Sequence, residues 1–460
     1  MQLSHALRMR PREVVVLVGG GGKTTLMFRL ANELAASGRR VVTTMTTRIF
    51  VGQMMRAPAR LITEDEAALL AKLPAALATH GHVIVAGEVI VEQDKVQGVS
   101  PALLDRIAAQ PAVDAMIVEA DGSRRLPFKA PTAHEPVIPA SATIVVPLVG
   151  LDVLEQPLDA EHVHRPEIVA KLTGASVGDP VTPAMIAAVL AHPQGGAKDV
   201  PPPARLIPFL NKAEDEATLA AAREIARLLL HGPQASARID SVLIGAAQEN
   251  DPVREVWGRT GAVVLAAGEA KRFGALKQVL PWRGVPLVAY VADQTLRCPD
   301  INHVAVTVGA GADQVRTALA ERNVSVIPVP DWEHGQSRSV KAGLYALAAR
   351  CTLHAPRPLS AILFLLADQP GVSPELLSAL IQRHRETLAP IVAPCFDGQR
   401  GNPVLFDQAT FPEFAHLDGD IGARPIIQAH RNEIAWVDWP TPEILQDIDV
   451  AADYKLSAHG

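Results

Sequence analysis

The sequence predicts an α/β fold with more than one domain, and three observations lead to this expectation. The chain has 460 residues, of which 48% are hydrophobic, so it is long enough for roughly two to four domains with a core each. Aromatic residues make up only 4%, which fits small-residue helices on Val/Ile/Leu strands better than a β-sandwich. Short apolar runs alternate with helical patterns, as in a parallel sheet covered by helices.

The first half opens with a strand, a glycine loop and a helix. The strand is the β-branched run Val14–Val18, and leucines four residues apart predict a helix that ends at Gly38. A later helix is expected at Glu216–Leu230, and the periodic pattern is lost near Glu249–Thr260. Continuous apolar runs predict buried strands at Val41–Thr44, Val83–Ala86, Met116–Glu119, Thr143–Val149, Leu206–Leu210 and Val242–Ile244.

A second α/β unit of roughly 200 residues, a normal domain size, is predicted to begin with the strand Ala262–Ala266. Strands and helices then alternate through His303–Val308, Ala312–Arg322, Val324–Val329, Ser339–Ala349, Ile362–Leu366 and Pro374–Glu386. The expected domains are residues 1–255 and 256–460.

Composition excludes several classes of protein. The 43 Lys+Arg and 49 Asp+Glu give a formal net charge of −6, which argues against a nucleic-acid partner. The longest uncharged stretch, Pro136–Leu151, contains two prolines and is shorter than the ~18 apolar residues of a membrane span. No signal-peptide cleavage site follows the basic N-terminus. The cysteines Cys298, Cys351 and Cys395 suit neither a disulfide framework nor a zinc site, so we expect a cytoplasmic protein without a membrane partner.

The segment Gly19–Thr25 has the features that a nucleoside triphosphate requires. It offers unshielded backbone N–H groups, a helix N-terminus, a lysine for the β- and γ-phosphates and a hydroxyl for Mg²⁺. Leu17 stands where the Walker A spacing has glycine, so a purely structural strand-to-helix turn is the alternative. The predicted nucleotide-binding residues are Gly20, Gly21, Gly22, Lys23, Thr24 and Thr25.

Acidic residues end another apolar strand, at Ile117–Gly122. A carboxylate in this position orders Mg²⁺ and its water in nucleotide-binding proteins. Asp121 is therefore the predicted metal ligand and Glu119 the second choice, while an Asp-Gly turn is the alternative. Asn211–Glu214 approximates the guanine motif Asn-Lys-x-Asp with Glu in place of Asp, and a helix cap explains it equally well.

Five motifs of the first half resemble the putative selenium-dependent hydroxylase accessory proteins (YqeC-like). The resemblance covers about residues 12–250, and the motifs are residues 20–25, Glu119–Gly122, Lys129–Pro131, His134–Pro139 and His164–Glu167. It implies a P-loop nucleotide-binding domain, using ATP or GTP, that helps to mature molybdenum hydroxylases. For His134 and His164, local packing in loops is the alternative.

The segment Leu265–Lys277 carries the strongest local signal of the chain. A strand that runs into small residues lets the backbone approach a nucleotide closely. Arg272 and Lys277 follow at a spacing that can neutralise a triphosphate whose α-phosphorus is attacked. The arginine fork suits the β/γ oxygens, and the compact lysine charge suits the pentacoordinate centre. An ordinary solvated turn is the alternative.

A second carboxylate site follows the apolar run Leu363–Ala367, at the strand end where ligands bind in open α/β sheets. Asp368 is predicted to hold Mg²⁺ between the α-phosphate and the nucleophile. Asp447-Ile448-Asp449 offers a second acid, of which Asp449 is preferred, although a helix-capping function is the alternative.

Five ordered motifs of the second half resemble the molybdenum cofactor cytidylyltransferases (MocA-like) of the MobA-like nucleotidyltransferase superfamily. The resemblance covers about residues 261–455, and the motifs are Leu265–Lys277, Gly335–Gly343, Ala367–Pro370, Gly401–Val404 and Gly419–Arg424. It implies a Rossmann-like domain that converts CTP and molybdopterin-bound molybdenum into the cytosine dinucleotide cofactor and pyrophosphate. The pterin's terminal phosphate is then the nucleophile, and a molybdenum hydroxylase of the xanthine dehydrogenase type is the client.

These patterns assign the site of the second half. The predicted catalytic residues are Arg272, Lys277 and Asp368. The predicted metal ligands of the whole chain are Asp368, Asp449 and Asp121. The predicted nucleotide-binding residues of this half are Leu265, Ala266, Ala267, Gly268, Gly274, Gly335 and Ser337.

Three positions depart from the family pattern, and a fourth, Ala267, bears on which nucleotide base is bound. Glu269 and Ala270 follow the turn where a small or hydroxyl residue is expected, and Arg338 stands where the family usually has serine. Ala267 favours cytidine, because guanylyl-transferring relatives tend to carry Gly-Gly at that step. Three alternatives stay open: a guanylyltransferase that uses GTP, a hydrolase that acts at the first glycine loop, and a non-enzymatic scaffold for hydroxylase maturation.

Overall fold

The computed structural model describes residues 1–62, 64–231, 235–269, 276–353 and 359–448. The chain divides into two compact units, Met1–Trp257 and Gly258–Gly460. Three predicted site residues, Arg272, Gly274 and Asp449, lie outside the described residues, as does Ala270.

The first unit contains short and long elements that alternate along the chain. Its strands are β1 (Glu13–Gly19), β2 (Val41–Met45), β3 (Ile49–Phe50), β4 (Ala59–Ile62), β5 (His82–Ala86), β6 (Val89–Ile90), β7 (Lys95–Val96), β8 (Ala115–Glu119), β9 (Phe128–Lys129), β10 (Ile144–Gly150), β11 (Val163–His164), β12 (Arg205–Leu206), β13 (Phe209–Asn211), β14 (Val242–Gly245) and β15 (Val253–Trp257). Its helices are α1 (Leu3–Ala6), α2 (Lys23–Ala36), α3 (Val51–Met54), α4 (Glu66–His80), α5 (Pro101–Ala108), α6 (Pro166–Thr173), α7 (Pro183–Ala191) and α8 (Glu216–Leu230), with 3₁₀ turns at Val91–Gln93 and Leu151–Val153.

A long, mainly parallel sheet forms the centre of this unit. Its strand order is β15-β14-β13-β10-β1-β8-β2-β5-β4, and β12 also pairs with β10. β1 lies between β8 and β10, with Val15 opposite both Ile117 and Ile144. Because these strands are parallel, the glycine loop after β1 and the acids at the end of β8 share one edge of the sheet. The strands are buried along nearly their whole length, as their continuous apolar sequences predict.

Two expectations for this unit were wrong. The region near Glu249–Thr260, where no regular element was expected, contains β15, which pairs antiparallel with β14. Charged Arg254 and Glu255 interrupt its apolar run, although Glu255 is buried and accepts a 2.9 Å hydrogen bond from Nε of Arg223. The single strand expected at Leu206–Leu210 is divided into β12 and β13, because Pro208 has no N–H to continue a ladder.

The second unit has the same alternation. Its strands are β16 (Arg259–Ala266), β17 (Pro281–Trp282), β18 (Val285–Pro286), β19 (His303–Val308), β20 (Ser325–Pro328), β21 (Leu359–Leu366), β22 (Ile391–Phe396), β23 (Gln399–Arg400), β24 (Val404–Asp407) and β25 (Ile434–Asp438). Its helices are α9 (Leu287–Arg297), α10 (Ala312–Leu319), α11 (Gln336–Leu353), α12 (Pro374–Thr387) and α13 (Arg424–Ala429), with 3₁₀ turns at Lys277–Val279, Trp332–His334, Gln408–His416 and Pro442–Leu445.

The main sheet of the second unit has the order β20-β19-β16-β21-β24-β22-β23, and β25 pairs with β22. β16 is parallel to β19 on one side and to β21 on the other, with Leu265 opposite Thr307 and Leu366. The chain continues from β16 to β19 on one side and reaches β21 on the other side, so the strand order reverses at β16. Open α/β sheets bind ligands at such a point. The predicted α/β fold, with a Rossmann-like second domain, is confirmed.

Among the described residues, no helix combines the length and the hydrophobicity that crossing a bilayer requires.

A buried histidine gives a pH-dependent test of the first unit. His82 at the start of β5 is 1% exposed, and its Nε2 lies 2.9 Å from Oγ1 of Thr43. Burial lowers its pKa to about 4, whereas an unfolded histidine titrates near 6.5. As the pH falls from about 6.5 towards 4, the unfolded chain therefore gains a proton that the folded chain does not, and stability is lost.

We expect His82→Gln to remove about 2 kcal/mol of the stability loss between pH 7 and pH 5. Urea denaturation of both proteins at the two pH values measures this difference. The exposed His80→Gln is the matched control and should behave as the wild type. Identical pH dependence of the wild type and His82→Gln would contradict the assignment.

Candidate functional site

A large cleft opens at the carboxyl edge of β16 and β21 in the second unit. Its volume is about 1020 Å³, at the top of the range of about 300–1,000 Å³ for small-molecule pockets. The lining residues are Leu265, Ala267, Gly268, Glu269, Lys277, Gln278, Trp332, Glu333, His334, Gly335, Gln336, Ser339, Leu366, Ala367, Asp368, Asp420 and Arg424.

The small-residue turn after β16 forms one part of the cleft wall. Gln278, missed by the sequence analysis, donates from Nε2 to the carbonyl oxygens of Gly268 at 2.7 Å and Ala266 at 3.3 Å. A side chain added at Gly268 would meet no atom of the described residues within 4 Å, and Gly268 lines the cleft, where its backbone can face a ligand. Of the predicted residues, Leu265 and Ala267 line the cleft as well, whereas Ala266 is 1% exposed and is not part of its lining.

Lys277 and Asp368 approach one another in this cleft. Nζ of Lys277 lies 3.6 Å from Oδ2 of Asp368, and the two side chains are 8% and 33% exposed. Lys277 begins a 3₁₀ turn after the small-residue loop, and Asp368 follows β21. Thus two side chains 91 positions apart in the sequence meet because the strands that precede them are neighbours in the sheet.

The metal prediction for this unit rests on Asp368. Its one-third exposed carboxylate is a hard oxygen ligand that faces the cleft, and such ligands suit Mg²⁺. The N–H of Ile448 donates to the carbonyl oxygen of Asp368 at 3.1 Å. The side chain of Asp447 accepts a hydrogen bond from Nε2 of Gln369, which ties the chain that leads to Asp449 to the Asp368 region.

A second wall is built from the start of α11 and the loop at residues 419–424. Gly335 has φ +108°, and an added Cβ would lie 2.4 Å from the carbonyl carbon of Gly419. The N–H of Gln336 donates to Oδ1 of Asp420 at 3.1 Å. Ser337, a predicted nucleotide ligand, is fully buried, and its hydroxyl has no hydrogen-bond partner among the described residues. Ser339, not Ser337, lines the cleft from this helix.

Arg338 and Glu269, two departures from the family pattern, have different environments. Nε of Arg338 lies 3.3 Å from Asp331 and its Nη2 lies 3.4 Å from Asp418. Arg338 therefore joins the segment before α11 to the loop near residue 419, and it is not part of the cleft lining. Glu269 does line the cleft.

The glycine loop of the first unit packs tightly against its own chain. A Cβ added at Gly20 would lie 2.7 Å from the oxygen of Leu126, and one at Gly21 would lie 2.1 Å from the nitrogen of Gly150. The N–H groups of Gly20 and Gly21 donate to Leu148 and Leu126 carbonyls at 3.0 and 3.1 Å. Two of the N–H groups expected to bind phosphate are thus bonded within the protein.

Lys23 and Thr24 both contact the acids that end β8. Nζ of Lys23 donates to the oxygen of Gly19 at 2.6 Å and lies 3.2 Å from Oδ1 of Asp121. Asp121 also lies 2.9 Å from Nζ of Lys129, so two ammonium groups hold this predicted metal ligand. By contrast, Oγ1 of Thr24 donates to Oε2 of Glu119 at 2.8 Å. Burial raises the pKa of Glu119, and nearby Lys23 opposes the shift.

Lys129 links Asp121 to a network of buried and partly buried charges that was not predicted from the sequence. Oε2 of Glu135 lies 2.9 Å from Nζ of Lys129 and 2.7 Å from Nη1 of Arg165. Burial opposes ionisation of Glu135, but hydrogen bonds from Arg165 and Lys129 outweigh it and lower the pKa to about 2. His164 is buried, which together with the charges of Arg165 and Lys129 lowers its pKa to about 4. His134 is exposed.

Asn211, from the guanine-like motif, also serves the glycine loop. Its Nδ2 donates to the oxygen of Gly21 at 2.6 Å, and its Oδ1 accepts from the N–H of Ala247 at 2.8 Å. The cap of α8 is Asp215, which accepts from the N–H of Thr218, so the helix cap considered for Asn211–Glu214 lies one residue beyond that segment.

Two families match the chain, one in each unit. Residues 15–167 match the YqeC protein family, and residues 262–434 match the MobA-like NTP transferase domain. The uncharacterized protein YqeC of Escherichia coli (strain K12) is 34% identical over 247 residues, which are 52% of this chain and 90% of that protein. The chain belongs to the YqeC family. It also carries a MobA-like NTP transferase domain, so the enzyme is a nucleotidyltransferase, and both predicted family resemblances are confirmed.

Two curated relatives match the nucleotidyltransferase unit. Nicotine blue oxidoreductase of Paenarthrobacter nicotinovorans is 29% identical over 42% of this chain and 94% of its own length. Purine catabolism protein PucB of Bacillus subtilis (strain 168) is 28% identical over 42% of this chain and 93% of its own length. A solved structure, the Mycobacterium tuberculosis rv0371c homologue from Mycobacterium sp. strain JC1, is 29% identical over 44% of this chain and 96% of that chain, with a TM-score of 0.38.

The packing of the glycine loop predicts the cost of a side chain there. Gly21→Ala places a Cβ at φ +75° against the backbone of Gly150, so left-handed strain and overpacking should together cost about 2–4 kcal/mol. Gly174→Ala is the matched control, because Gly174 has φ +78° but open space around it, and strain alone should cost about 1 kcal/mol. Urea denaturation measures both losses, and equal losses would show that the loop is not packed in this way.

Proposed function

We propose that the protein transfers CMP from CTP to molybdopterin-bound molybdenum, giving the cytosine dinucleotide cofactor and pyrophosphate. The observation that carries this proposal is the pairing of Lys277 with Asp368 across the cleft, at 3.6 Å. A cation and a metal-binding carboxylate at one point are what an attacked α-phosphorus requires. The same cleft supplies the backbone of Gly268 for the approach of a triphosphate.

The proposed mechanism is an in-line displacement. Lys277 stabilises the negative charge that builds up on the oxygens around the α-phosphorus. Asp368 would hold Mg²⁺, and that ion would supply positive charge to neutralise the phosphates. A phosphate oxygen of the acceptor forms the new bond to the α-phosphorus, and the bond to the bridging β-phosphate oxygen breaks to release pyrophosphate. No protein nucleophile is required, and catalysis comes from positioning and charge.

CTP is the proposed nucleotide, and GTP is the alternative. Ala267 lines the cleft at the step that distinguishes the two kinds of relative. Its methyl group reduces the space next to the base compared with glycine, which supports the smaller pyrimidine. Arg272 and Asp449 remain proposed as a phosphate ligand and a second metal ligand.

For the first unit we propose nucleotide binding at Gly20–Thr25, with ATP or GTP as the ligand. The contact between Thr24 and Glu119 supports Glu119 as the residue that orders Mg²⁺, since a hydroxyl beside a carboxylate is the usual arrangement for that ion. Asp121 is held by two lysines and serves in this proposal to position Lys23. Phosphate binding then requires the carbonyl of Leu126 to leave the N–H of Gly21.

The proposed client of the product is a molybdenum hydroxylase of the xanthine dehydrogenase type. Xanthine is a purine, and one relative of the second unit is named for purine catabolism. The resemblance of the first unit to hydroxylase accessory proteins is the ground for proposing that this unit helps to mature such an enzyme.

Pyrophosphate release tests the transferase. Purified protein with Mg²⁺ and molybdopterin cofactor should release pyrophosphate from CTP in preference to GTP or ATP. Lys277→Ala should lower kcat about 10²- to 10³-fold, because a charge that stabilises the transition state is lost. Arg316→Ala is the matched control, since this cation on α10 pairs with Asp313 and does not line the cleft.

Other outcomes of this assay favour the rival functions. Triphosphate hydrolysis without transfer, unchanged in Lys277→Ala, would favour a hydrolase at the first glycine loop. Absence of any transfer by the wild type, with target-enzyme binding retained when Lys277 and Asp368 are both replaced, would favour a scaffold. Equal use of GTP would contradict the base preference.

Nucleotide binding by the first unit is tested with fluorescent ATP and GTP analogues and Mg²⁺. Lys23→Met should weaken binding at this site at least about tenfold, because a charged hydrogen-bond donor to phosphate is worth about 1.5–3 kcal/mol. The exposed Lys171→Met on α6 is the matched control. Both variants are made in a Lys277→Ala background, so that the second unit does not consume the nucleotide. Unchanged affinity in Lys23→Met would leave the loop as a structural turn.

A further inference from the structure

The cleft of the second unit has a wall to which the proposed transfer of CMP assigns no function. Arg424, at the first position of α13, lines the cleft together with Asp420. The cleft volume of about 1020 Å³ is at the top of the range for small-molecule pockets, and a transferase has to bring both of its substrates together in one such place.

The backbone near Arg424 is fixed to α11 by three contacts. The N–H of Ser337 donates to the oxygen of Gly419 at 3.2 Å, and the N–H of Gln336 donates to Oδ1 of Asp420 at 3.1 Å. Nζ of Lys341 donates to the oxygen of Leu417 at 2.9 Å. A guanidinium on such an anchored loop loses less freedom on binding a ligand than one on a loose loop.

The guanidinium of Arg424 has no anionic partner among the residues that the structure describes. No described carboxylate lies within 4.0 Å of it, whereas Arg338 nearby contacts both Asp331 and Asp418. The carboxylate of Asp420 faces the N–H of Gln336 instead. The five N–H donors of Arg424 are thus available to a ligand in the cleft.

A guanidinium suits an anionic ligand, because its planar fork can grip a phosphate with two hydrogen bonds.

In-line displacement gives this positive charge a function. The pyrophosphate leaves along the side where the triphosphate is held, near Gly268 and Lys277, so the attacking group must enter from another side. The acceptor phosphate is itself an anion and must be drawn towards a second anion. A cationic wall separate from Lys277 reduces that repulsion and orients the attacking oxygen.

We propose that Arg424 binds the phosphate monoester of the acceptor substrate and directs it at the α-phosphorus. This inference rests on the proposed transferase function and adds the residues that recognise the acceptor. The acceptor attacks as its dianion, so no general base is needed. Its oxygen gains the bond to phosphorus, the electron pair of the broken bond leaves with pyrophosphate, and total charge is conserved.

The experiment combines steady-state kinetics with direct binding. In the pyrophosphate assay, Arg424→Ala should raise KM for molybdopterin cofactor about 10- to 100-fold, with KM for CTP changed less than about twofold. Arg424→Lys, which keeps the charge but not the fork, should fall between wild type and Arg424→Ala. The exposed Arg431→Ala, outside the cleft lining, is the matched control.

Binding of molybdopterin cofactor without CTP separates failure of this inference from failure of the proposed function. Weaker cofactor binding by Arg424→Ala than by wild type supports the acceptor site even if no transfer occurs. A rise in KM for CTP alone would overturn the inference and assign Arg424 to the triphosphate. Equal cofactor binding and equal KM in wild type and Arg424→Ala would overturn it as well. Circular dichroism and thermal melting check that each variant is folded.

Discussion

The contact between Lys277 and Asp368 is the interaction on which the site of the second unit depends. It exists because β16 and β21 are parallel neighbours, so that both strands end at the same edge of the sheet. The chain then returns through a 3₁₀ turn that directs Lys277 to this edge, and Gln278 holds the preceding turn through two backbone oxygens. Asp368 is one-third exposed, and it lines the cleft.

The two glycine-containing turns of the chain differ in what surrounds them. In the first unit, positions of added side chains at Gly20 and Gly21 are occupied by the backbone of neighbouring segments. Glycine is required there because the protein packs against itself. At Gly268 in the second unit, no atom of the described residues occupies that position, and Gly268 lines the cleft. The same residue type therefore serves close packing in one unit and an open surface in the other.

Charge is also arranged differently in the two units. Asp121 is nearly inaccessible and is held by Lys23, Lys129 and a backbone N–H. Such a group is satisfied within the protein, and removing one partner would leave a costly unpaired charge. In the cleft of the second unit, Arg338 and its acids join the segments of the second wall, while Arg424 lines the space that a substrate would occupy. The first arrangement favours a fixed conformation, and the second favours binding of an added anion.

Several features follow from local sequence, because each depends on residues close together in the chain. Apolar runs predicted the central strands, the Glu216–Leu230 helix was predicted to the residue, and the ordered motifs identified both families. The local pattern did not predict β15, because the charged residues Arg254 and Glu255 interrupt its apolar run. Glu255 is buried in this strand with a hydrogen bond from the distant Arg223. The function of Asn211 was missed for a similar reason, since the residues that it contacts, Gly21 and Ala247, are far away in sequence.

Only the tertiary structure decided which charged groups meet. From sequence alone Asp121 was preferred to Glu119 as the metal ligand, but the fold surrounds Asp121 with lysines and sets Glu119 beside Thr24. Ser337 and Ser339 likewise differ by two positions on a helix, and rotation of that helix buries the first and turns the second to the cleft. Composition and periodicity thus determined the elements and their chemistry, whereas strand pairing and helix orientation, which depend on contacts between remote residues, determined the site.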